Sequence, residues 1–203
     1  MLHSEDKNIF SSENPIELYR IWKQEAVAKE VNDPDAVALA TVDEYGLPNV
    51  RMVLLRIIED DGFVFFTNYN SMKGHEINAS GKIAFVSHWK SIRRQVRVRG
   101  HVSKDQSALS ENYFNQRPLE SRIGAWASKQ STVLVSKKQL FNRIDQLKKE
   151  LGDVPPKPAF WGGFRIKPLE IEFWNDGPYR VHDRFLWKRK DFDSDWTIDR
   201  LSP

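Results

Sequence analysis

Cysteine is absent from the 203-residue chain. Its absence excludes a disulfide framework, a cysteine-ligated metal site and a cysteine nucleophile. Long apolar runs are absent too, since no stretch approaches the roughly 20 apolar residues that a membrane helix needs. The beginning, MLHSEDKNIFSSENP, lacks the apolar core of a secretory signal. We therefore expect a soluble, cytoplasmic protein without a membrane partner.

Neither sign of charge dominates. The chain has 31 basic and 28 acidic residues and a formal net charge of +3, which is a weak attraction for nucleic acid. The basic residues nevertheless cluster at 93–99 and 180–190. Because local clusters of this kind attract small anions, we expect a small anionic ligand and no nucleic acid.

Common catalytic motifs are missing as well. The sequence contains no GxSxG, no HExxH and no glycine-rich phosphate loop. Its five histidines are scattered, with none paired at metal-ligand spacing, so we expect no metal. If the protein is an enzyme, a bound cofactor supplies the reactivity.

The chain does contain enough apolar material for one core. Apolar residues make up 40% of it and aromatic residues 12%, and the length suits a single domain. We assign residues 15–203 to that domain and residues 1–14 to a flexible N-terminal segment. Asn14 and Pro15 predict the start of an amphipathic helix. Its apolar positions recur at helical spacing: Ile16, Tyr19, Trp22, Ala26 and Val27.

The rest of the chain alternates between β and α patterns. Five runs rich in β-branched and aromatic residues lie between 37 and 104, separated by turn residues and one helical insertion, SMKGHEINAS. They predict an antiparallel sheet or barrel. Residues 106–151 predict three helices, and Gly152 is a suitable stop for the last. Two further strands and a short third one complete an α+β, mainly β protein: a β-barrel with peripheral helices.

The stretch TNYNSMKGHEI has the composition of a phosphate site. Ser71 is placed to cap a helix, and Lys73 lies in the first turn. Free N–H groups and the positive end of the helix dipole favour an anion there. An ordinary capped helix explains the same pattern, so both interpretations stay open.

A second set of this kind consists of Tyr113, Arg117 and Ser121, at i, i+4 and i+8. Pro118 predicts a break, so we expect the three side chains to meet across a helix junction. Hydroxyl and guanidinium groups together suit a phosphate. Two phosphate sites suggest a phosphorylated cofactor and a phosphorylated substrate.

Two predicted strands carry polar groups on alternate positions. In VRMVLLR each face has one arginine and two apolar residues: Arg51, Val53 and Leu55 against Met52, Leu54 and Arg56. This fits a barrel wall whose rim binds an anion, or equally two solvated arginines at the strand ends. In RRQVRVRGH, Gln95 shares the polar face with Arg97 and Arg99, and its amide suits the edge of a heterocycle.

A third strand is predicted over YRVHDRF. Arg180, His182 and Arg184 occupy alternate positions and would point the same way. The row is either a solvated basic face or a site for a flat anionic ligand. Asp183, on the opposite face, would anchor the strand by pairing elsewhere.

Six stretches occur together in the order typical of one family. They are ALATVDEYGLPNVRMVLLR, FFTNYNSMK, RRQVRVRG, YFNQRPLESRIGAWASKQS, FWGGFRIKPLEIEFW and RVHDRFLW with the terminal IDRLSP. Through them the chain resembles the pyridoxamine/pyridoxine 5′-phosphate oxidase family from about residue 15 to the C-terminus. RPLESRIGAWASKQS and RVHDRF are the most specific of the six.

The resemblance implies an FMN-binding split β-barrel, antiparallel and Greek-key-like, that forms a homodimer with active sites at the interface. It implies oxidation of pyridoxamine or pyridoxine 5′-phosphate by O2 to pyridoxal 5′-phosphate, the last step of vitamin B6 cofactor biosynthesis and salvage. Hydrogen peroxide is released, and ammonia as well when the substrate is the amine.

The resemblance also implies roles for individual residues. The FMN set is Arg51, Met52, Val53, Leu54, Leu55, Arg56, Phe66, Thr67, Ser71, Met72, Lys73, Gln95, Gln130, Ser131, Trp174 and Arg184. The substrate set is Arg56, Tyr113, Arg117, Ser121, Arg180 and His182. Arg180 and His182 are the implied catalytic residues: Arg180 covers the reactive face of the substrate and His182 hydrogen-bonds it.

Three positions depart from the family pattern. Arg56 stands where lysine is usual, Phe66 where tyrosine is common, and Met72 where the SRK motif has arginine. The loss at Met72 removes one charge-assisted hydrogen bond to the flavin phosphate, about 1.5–3 kcal/mol. Two alternatives remain open: a flavin oxidase of the same barrel acting on a phenazine-type substrate, and a non-catalytic protein that binds flavin or pyridoxal phosphate.

Overall fold

The computed structural model describes residues 9–203, which form five α-helices and eight β-strands. The helices are α1 (Pro15–Lys29), α2 (Met72–Ser80), α3 (Leu109–Gln116), α4 (Leu119–Ala127) and α5 (Lys137–Leu151). The strands are β1 (Ala36–Val42), β2 (Pro48–Glu59), β3 (Gly62–Asn68), β4 (Lys82–Trp89), β5 (Arg94–Lys104), β6 (Trp161–Asn175), β7 (Asp183–Lys188) and β8 (Thr197–Arg200). None of the helices in this range is long and apolar enough to cross a membrane.

The first six strands close into an antiparallel barrel. Their order is β3-β2-β1-β4-β5-β6, and β3 pairs with β6 to complete the circle. After the meander β1-β2-β3, the chain returns through α2 so that β4 lies beside β1, which is a Greek key. The second half of the long β6 also pairs with β7, and β8 extends the sheet beyond the closed part. The predicted mainly β split barrel with peripheral helices is confirmed.

Helix α1 packs its aromatic side chains against the barrel core. Asn14 caps it by accepting hydrogen bonds from the backbone N–H groups of Ile16 and Glu17, as the sequence predicts. The Tyr19 ring meets Phe63 edge-on, with its hydroxyl 2.7 Å from Ser87 Oγ in the buried interior. Val27 was predicted on this face but is exposed, because it lies one position past the stripe that ends at Ala26.

The packed part of the chain begins before residue 15. Phe10 is only 1% exposed and packs between α1 and β7 in tilted ring contacts, with ring centroids 5.6 Å from Trp22 and 4.5 Å from Phe185. The Trp187 indole donates to the Glu13 carbonyl at 2.9 Å. Residues 9–14 therefore belong to the domain, whereas residues 1–8 of the predicted flexible segment lie outside the described residues.

The strand predicted over YRVHDRF is wrong in its first half. Strand β7 begins at Asp183, and Pro178–Arg180 form a 3-10 turn in which Tyr179 and Arg180 have positive φ angles of 57° and 63°. The chain folds back so tightly that a Cβ on Gly177 would lie 2.0 Å from the Val181 carbonyl oxygen. Because this turn uses the residues that would have paired, Arg180 and His182 do not share a strand face with Arg184.

Candidate active site

A cavity of about 940 Å³ opens beside β2, between the N-terminus of α2 and the junction of α3 with α4. It gathers most of the residues that the sequence predicts for a ligand site. Those that line it are Arg51, Met52, Val53, Leu54, Arg56, Phe66, Thr67, Met72, Lys73, Tyr113, Arg117, Ser121, Gln130 and Ser131. Residues of both predicted phosphate sites therefore line one cavity.

The α2 end of the cavity holds a buried ammonium group. Lys73 is 8% exposed, and its Nζ donates to Thr67 Oγ1 at 3.3 Å, Ser71 Oγ at 3.3 Å and Gln130 Oε1 at 3.1 Å. All three partners are neutral. Burial, followed by the charge of Arg51, lowers the pKa of Lys73 below its ordinary value, while Glu76 acts in the opposite direction.

Ser71 does not line the cavity, because it is fully buried beneath Lys73 as the helix cap. Its Oγ accepts from the backbone N–H of Gly74 at 3.4 Å and faces Lys73. The remaining free N–H groups of the first turn of α2 lie at the positive end of the helix dipole. A partly desolvated cation beside such a helix end is suited to an anion.

Arg51 is drawn into a network around Glu76. Its guanidinium donates to Glu76 Oε2 at 3.0 Å and also bonds Thr41, while Asn49 Nδ2 donates to Glu76 Oε1 at 3.0 Å. Burial raises the pKa of Glu76, but the hydrogen bonds from Thr41 and Asn49 and the charge of Arg51 lower it overall. Since Glu76 balances Arg51, Lys73 is the cation at this end that lacks a hydrogen-bonded carboxylate.

The opposite end of the cavity is built across a helix junction, as predicted. Helix α3 ends at Gln116 and α4 begins at Leu119, so Tyr113, Arg117 and Ser121 converge from both sides of Pro118. The buried Nη1 of Arg117 has no hydrogen-bond partner among residues 9–203. Burial lowers the pKa of Arg117. An unpartnered guanidinium nitrogen in a cavity is a donor available to a ligand oxyanion.

Stacked aromatic rings form the wall next to Arg117. The Phe66 ring lies 4.3 Å from Tyr113 and 5.6 Å from Trp161, with interplanar angles of 15° and 9°. Arg117 Cζ lies 4.9 Å from the Trp161 ring centroid, a cation–π contact. Trp161 was missed by sequence reasoning. Its signal is the double glycine that follows it, since a Cβ on Gly162 would lie 2.1 Å from the Tyr69 hydroxyl and would occupy the space of the Tyr69 side chain.

Strand β2 lines the cavity with residues of both of its faces. Met52 is 63% exposed at the cavity, and Arg56 lines it while donating to Asp35 Oδ2 at 2.9 Å. Leu55 was predicted in the ligand set but does not line the cavity. Its side chain lies in the core, because it points to the inner face of the barrel.

A second cluster of predicted site residues lies apart from the cavity lining, at the ends of β5, β6 and β7. Gln95, Trp174 and Arg184 are neighbours in register across these three strands. The His182 ring lies 4.5 Å from the Trp174 ring. Neither these four residues nor Arg180 lines the cavity of the same chain.

Arg184 is fully engaged within the chain. Its Nε and Nη2 donate to Glu172 Oε1 at 2.9 and 2.7 Å, and its Nη1 donates to the Ser202 carbonyl at 2.7 Å. The predicted row with Arg180 and His182 does not form, because Arg184 is on β7 and the other two are in the preceding turn. Asp183 pairs with Arg200 at 2.6 Å, which confirms that it anchors the strand.

The fold and the cavity define a split-barrel protein whose cleft is lined by both Lys73 and Arg117. Residues 24–149 match the family model described as pyridoxamine 5′-phosphate oxidase. Residues 161–203 match the model described as the pyridoxine 5′-phosphate oxidase C-terminal dimerisation region. The chain belongs to the pyridoxamine 5′-phosphate oxidase family.

Individual relatives agree with this assignment. The pyridoxine/pyridoxamine 5′-phosphate oxidase of Ruegeria sp. (strain TM1040) is 53% identical over 98% of this chain and 100% of its own length. That of Cereibacter sphaeroides (strain ATCC 17023) is 54% identical over 96% and 98%. Among solved structures, PhzG from Burkholderia lata 383 in complex with tetrahydrophenazine-1-carboxylic acid superposes with a TM-score of 0.90 at 28% identity, covering 100% and 98% of the two chains.

Proposed function

We propose that this protein is an FMN-dependent oxidase that converts pyridoxamine or pyridoxine 5′-phosphate to pyridoxal 5′-phosphate. One observation carries the proposal: a single cavity is lined by two cations, Lys73 and Arg117, for which residues 9–203 supply no carboxylate partner. This arrangement suits two phosphorylated ligands side by side.

The α2 end is suited to the phosphate of FMN. Lys73 supplies the charge, and Thr67, Gln130 and the first turn of α2 supply hydrogen-bonding groups. When bound there, FMN would supply the redox chemistry, acting as hydride acceptor with O2 as the final oxidant and hydrogen peroxide as its product. Arg51 is held by its ion pair with Glu76, so Lys73 is the cation that remains for the phosphate at this end.

The Arg117 end is suited to the substrate phosphate. Arg117 is oriented by its stacking on Trp161, and Tyr113 and Ser121 place hydroxyl groups beside it. The aromatic wall of Phe66, Tyr113 and Trp161 excludes water from one side of the cleft and offers a flat surface to a pyridine ring. Positioning of the reacting carbon is thus a task of the protein, whereas the redox chemistry belongs to the cofactor.

Arg180 and His182 reach the substrate from the partner of a homodimer. They do not line the cavity of their own chain, and they lie in the region that matches the dimerisation model. Val50 and Met52 expose apolar side chains beside the cavity on β2, as an interface requires. The Gly177 N–H donates to His182 Nδ1 at 3.2 Å, so the neutral ring carries its proton on Nε2 and can donate it to the substrate.

The test is a flavin spectrum of the purified protein. After reconstitution with FMN, pyridoxamine 5′-phosphate is added without oxygen, and we expect the flavin absorbance band to bleach. Admitting O2 should restore the band and release hydrogen peroxide and pyridoxal 5′-phosphate. A protein that is saturated with FMN yet shows no bleaching with either vitamer would contradict the proposal and favour a non-catalytic binding role.

The likeness to PhzG favours one alternative, a flavin oxidase of a phenazine-type substrate. Replacing Arg117 with alanine separates the two. If the substrate is phosphorylated, the variant should lose about 10- to 100-fold in affinity for it, the value of one charge-assisted hydrogen-bonding group. Arg143→Ala, on the exposed face of α5, is the control and should leave turnover unchanged. Unaltered activity of Arg117→Ala would favour the alternative.

A further inference from the structure

Arg56 lies at an irregularity of strand β2. Leu55 pairs with Phe65 of β3, whereas Ile57 pairs with Val64, so Arg56 has no partner of its own in this register. An extra residue of this kind, a β-bulge, bends the strand and changes the direction of the side chain. The Arg56 side chain lines the cavity and is 35% exposed. Its direction is therefore not fixed by regular strand pairing.

Asp35 holds the Arg56 guanidinium at this bulge. Asp35 immediately precedes β1, whose first residue, Ala36, pairs with Leu54 of β2. Arg56 Nη1 donates to Asp35 Oδ2 at 2.9 Å. No other acceptor within residues 9–203 meets Arg56, so the remaining donors of its guanidinium are available to a ligand in the cavity.

Asp35 is itself held in place by α1 and by the strands. Its other carboxylate oxygen, Oδ1, lies 2.8 Å from Nζ of Lys23 on α1, and the same Nζ donates to the Leu55 carbonyl at 3.5 Å. The Leu55 N–H donates to the Asp35 carbonyl at 2.9 Å, and the Trp89 indole donates to the Pro34 carbonyl, also at 2.9 Å. The carboxylate thus has a defined position from which it can orient a guanidinium.

We propose that Asp35 is a positioning residue that directs Arg56 toward a phosphate group of a ligand in the cavity. The inference rests on the proposed function, in which FMN and the substrate each carry a phosphate. The planar guanidinium suits this task, because one nitrogen can bond the carboxylate while the others keep a fixed direction toward the ligand. An ammonium group at the same place would be a point charge without that fixed direction.

The charge of Asp35 and its positioning role predict opposite effects for Asp35→Asn. Removing a negative charge near the cavity would by itself strengthen phosphate binding, whereas release of Arg56 weakens it. The Arg56 and Asp35 side chains are 35% and 25% exposed, so solvent screens the charge effect. We therefore expect weaker phosphate binding in Asp35→Asn.

Two pairs of ligands measure this effect by titration calorimetry. The FMN-loaded protein is titrated with deoxypyridoxine 5′-phosphate, which has a methyl group where the substrate is oxidised, and with deoxypyridoxine. The apoprotein is titrated with FMN and with riboflavin. For the ligand whose phosphate meets Arg56, the preference for the phosphorylated form should fall about 2- to 10-fold in Asp35→Asn and about 10- to 100-fold in Arg56→Ala.

Two further variants separate positioning from other effects. Asp35→Glu keeps the charge but displaces the carboxylate, so it should also lower the preference for phosphate. In an Arg56→Ala background, Asp35→Asn should cause no further loss, because it acts through Arg56. Asp60→Asn is the matched control, since Asp60 pairs with Arg20 of α1 at 2.7 Å and does not line the cavity. It should leave both preferences unchanged.

An unchanged or higher preference for phosphate in Asp35→Asn with both pairs of ligands would overturn the inference. So would an equal loss from Asp35→Asn with and without Arg56, since that result indicates a general structural role. These titrations involve no turnover. A wild type that oxidises neither vitamer would refute the proposed function, while the phosphate preferences would still decide the role of Asp35.

Discussion

Lys73 shows how one residue can determine the ligand that a cleft accepts. A lysine with only neutral hydrogen-bond partners, in the first turn of a helix, is unfavourable for the helix and for the buried charge. A phosphate compensates for both costs. The sequence placed Ser71 and Lys73 at a helix start, but it left open whether that start binds anything. The burial of Lys73 is the added fact that favours a ligand.

The lowered pKa of Lys73 predicts how FMN affinity depends on pH. Burial and Arg51 lower this pKa below 10.5, so the unliganded site loses its proton earlier than an exposed lysine does. Because phosphate binds the charged form, FMN affinity should fall as the pH rises through that lowered pKa. The dissociation constant, followed by flavin fluorescence, checks this. Riboflavin has no phosphate and serves as the control for the flavin ring. In Lys73→Met, the dissociation constants of FMN and riboflavin should depend on pH in the same way.

Met72 is a second cavity residue near the proposed phosphate position. It lines the cavity as the first residue of α2 and is half exposed, so a longer cation at this position could reach a phosphate bound there. We expect Met72→Arg to tighten FMN binding about 10- to 100-fold, the value of one charge-assisted hydrogen bond. Titration calorimetry measures the change. Met72→Leu should have little effect, and a Met72→Arg variant that tightens riboflavin equally would contradict a phosphate contact.

Helix α2 shows how an element positions these residues. Gly74 lies in its first turn, where an added Cβ would meet the Tyr69 carbonyl oxygen at 2.1 Å. The helix can therefore lie against the end of β3 only because residue 74 has no side chain. This close approach holds Lys73 over Thr67 and Gln130.

Gly74→Ala should accordingly displace the start of α2. We expect it to lower the free energy of unfolding by about 1–3 kcal/mol, because the obstacle is backbone, and to weaken FMN retention. Gly124→Ala is the matched control, since this glycine is also helical and has nothing within 4 Å of the added Cβ. It should raise the free energy of unfolding by about 0.5–1 kcal/mol. Denaturant unfolding measures the stability of the two variants, and FMN dissociation measures cofactor retention in Gly74→Ala. Equal stability of the two variants would contradict the close packing of Gly74 against Tyr69.

The turn before β7 is the element that the sequence pattern predicted wrongly. The alternation of Arg180, His182 and Arg184 has the period of a strand, and nothing local distinguishes it from a turn that runs into one. The register of β7 against β6 determines where the strand begins, because pairing stops at Asn175 and Asp183. The residues between them must reverse the chain, so they cannot extend the ladder.

The whole molecule divides its predicted site residues between a cavity and a separate sheet end. Strand β2 exposes Val50 and Met52 next to the cavity, and a homodimer would cover them while supplying the second cluster. We expect Met52→Glu to weaken the dimer and to release FMN, because a carboxylate at the covered face is costly to bury. Light scattering and flavin retention measure these effects together.

Val31→Glu is the control for that experiment. Val31 is also an exposed apolar residue, but it follows α1 and does not line the cavity. It should leave both the mass in solution and the FMN content unchanged. A Met52→Glu protein that stays dimeric and keeps its FMN would contradict an interface on this face.

The sequence by itself determined the elements and the chemical character of the site. Helix caps, period-two strands and turn residues are local signals, so the barrel strands, Asn14 and the Ser71 cap could be predicted from neighbours in the chain. The motifs also indicated the family, which the two family-model matches confirm.

Only the tertiary structure decided which of these residues meet. It joined the α2 end and the α3–α4 junction in one cavity, buried Leu55, and engaged Arg184 with Glu172. It also placed Asp176 between Arg93 and His182, a contact that depends on a tight reversal after β6. These outcomes depend on strand register and on the path of a turn, which arise from pairings far apart in the chain and so are not encoded in any single stretch.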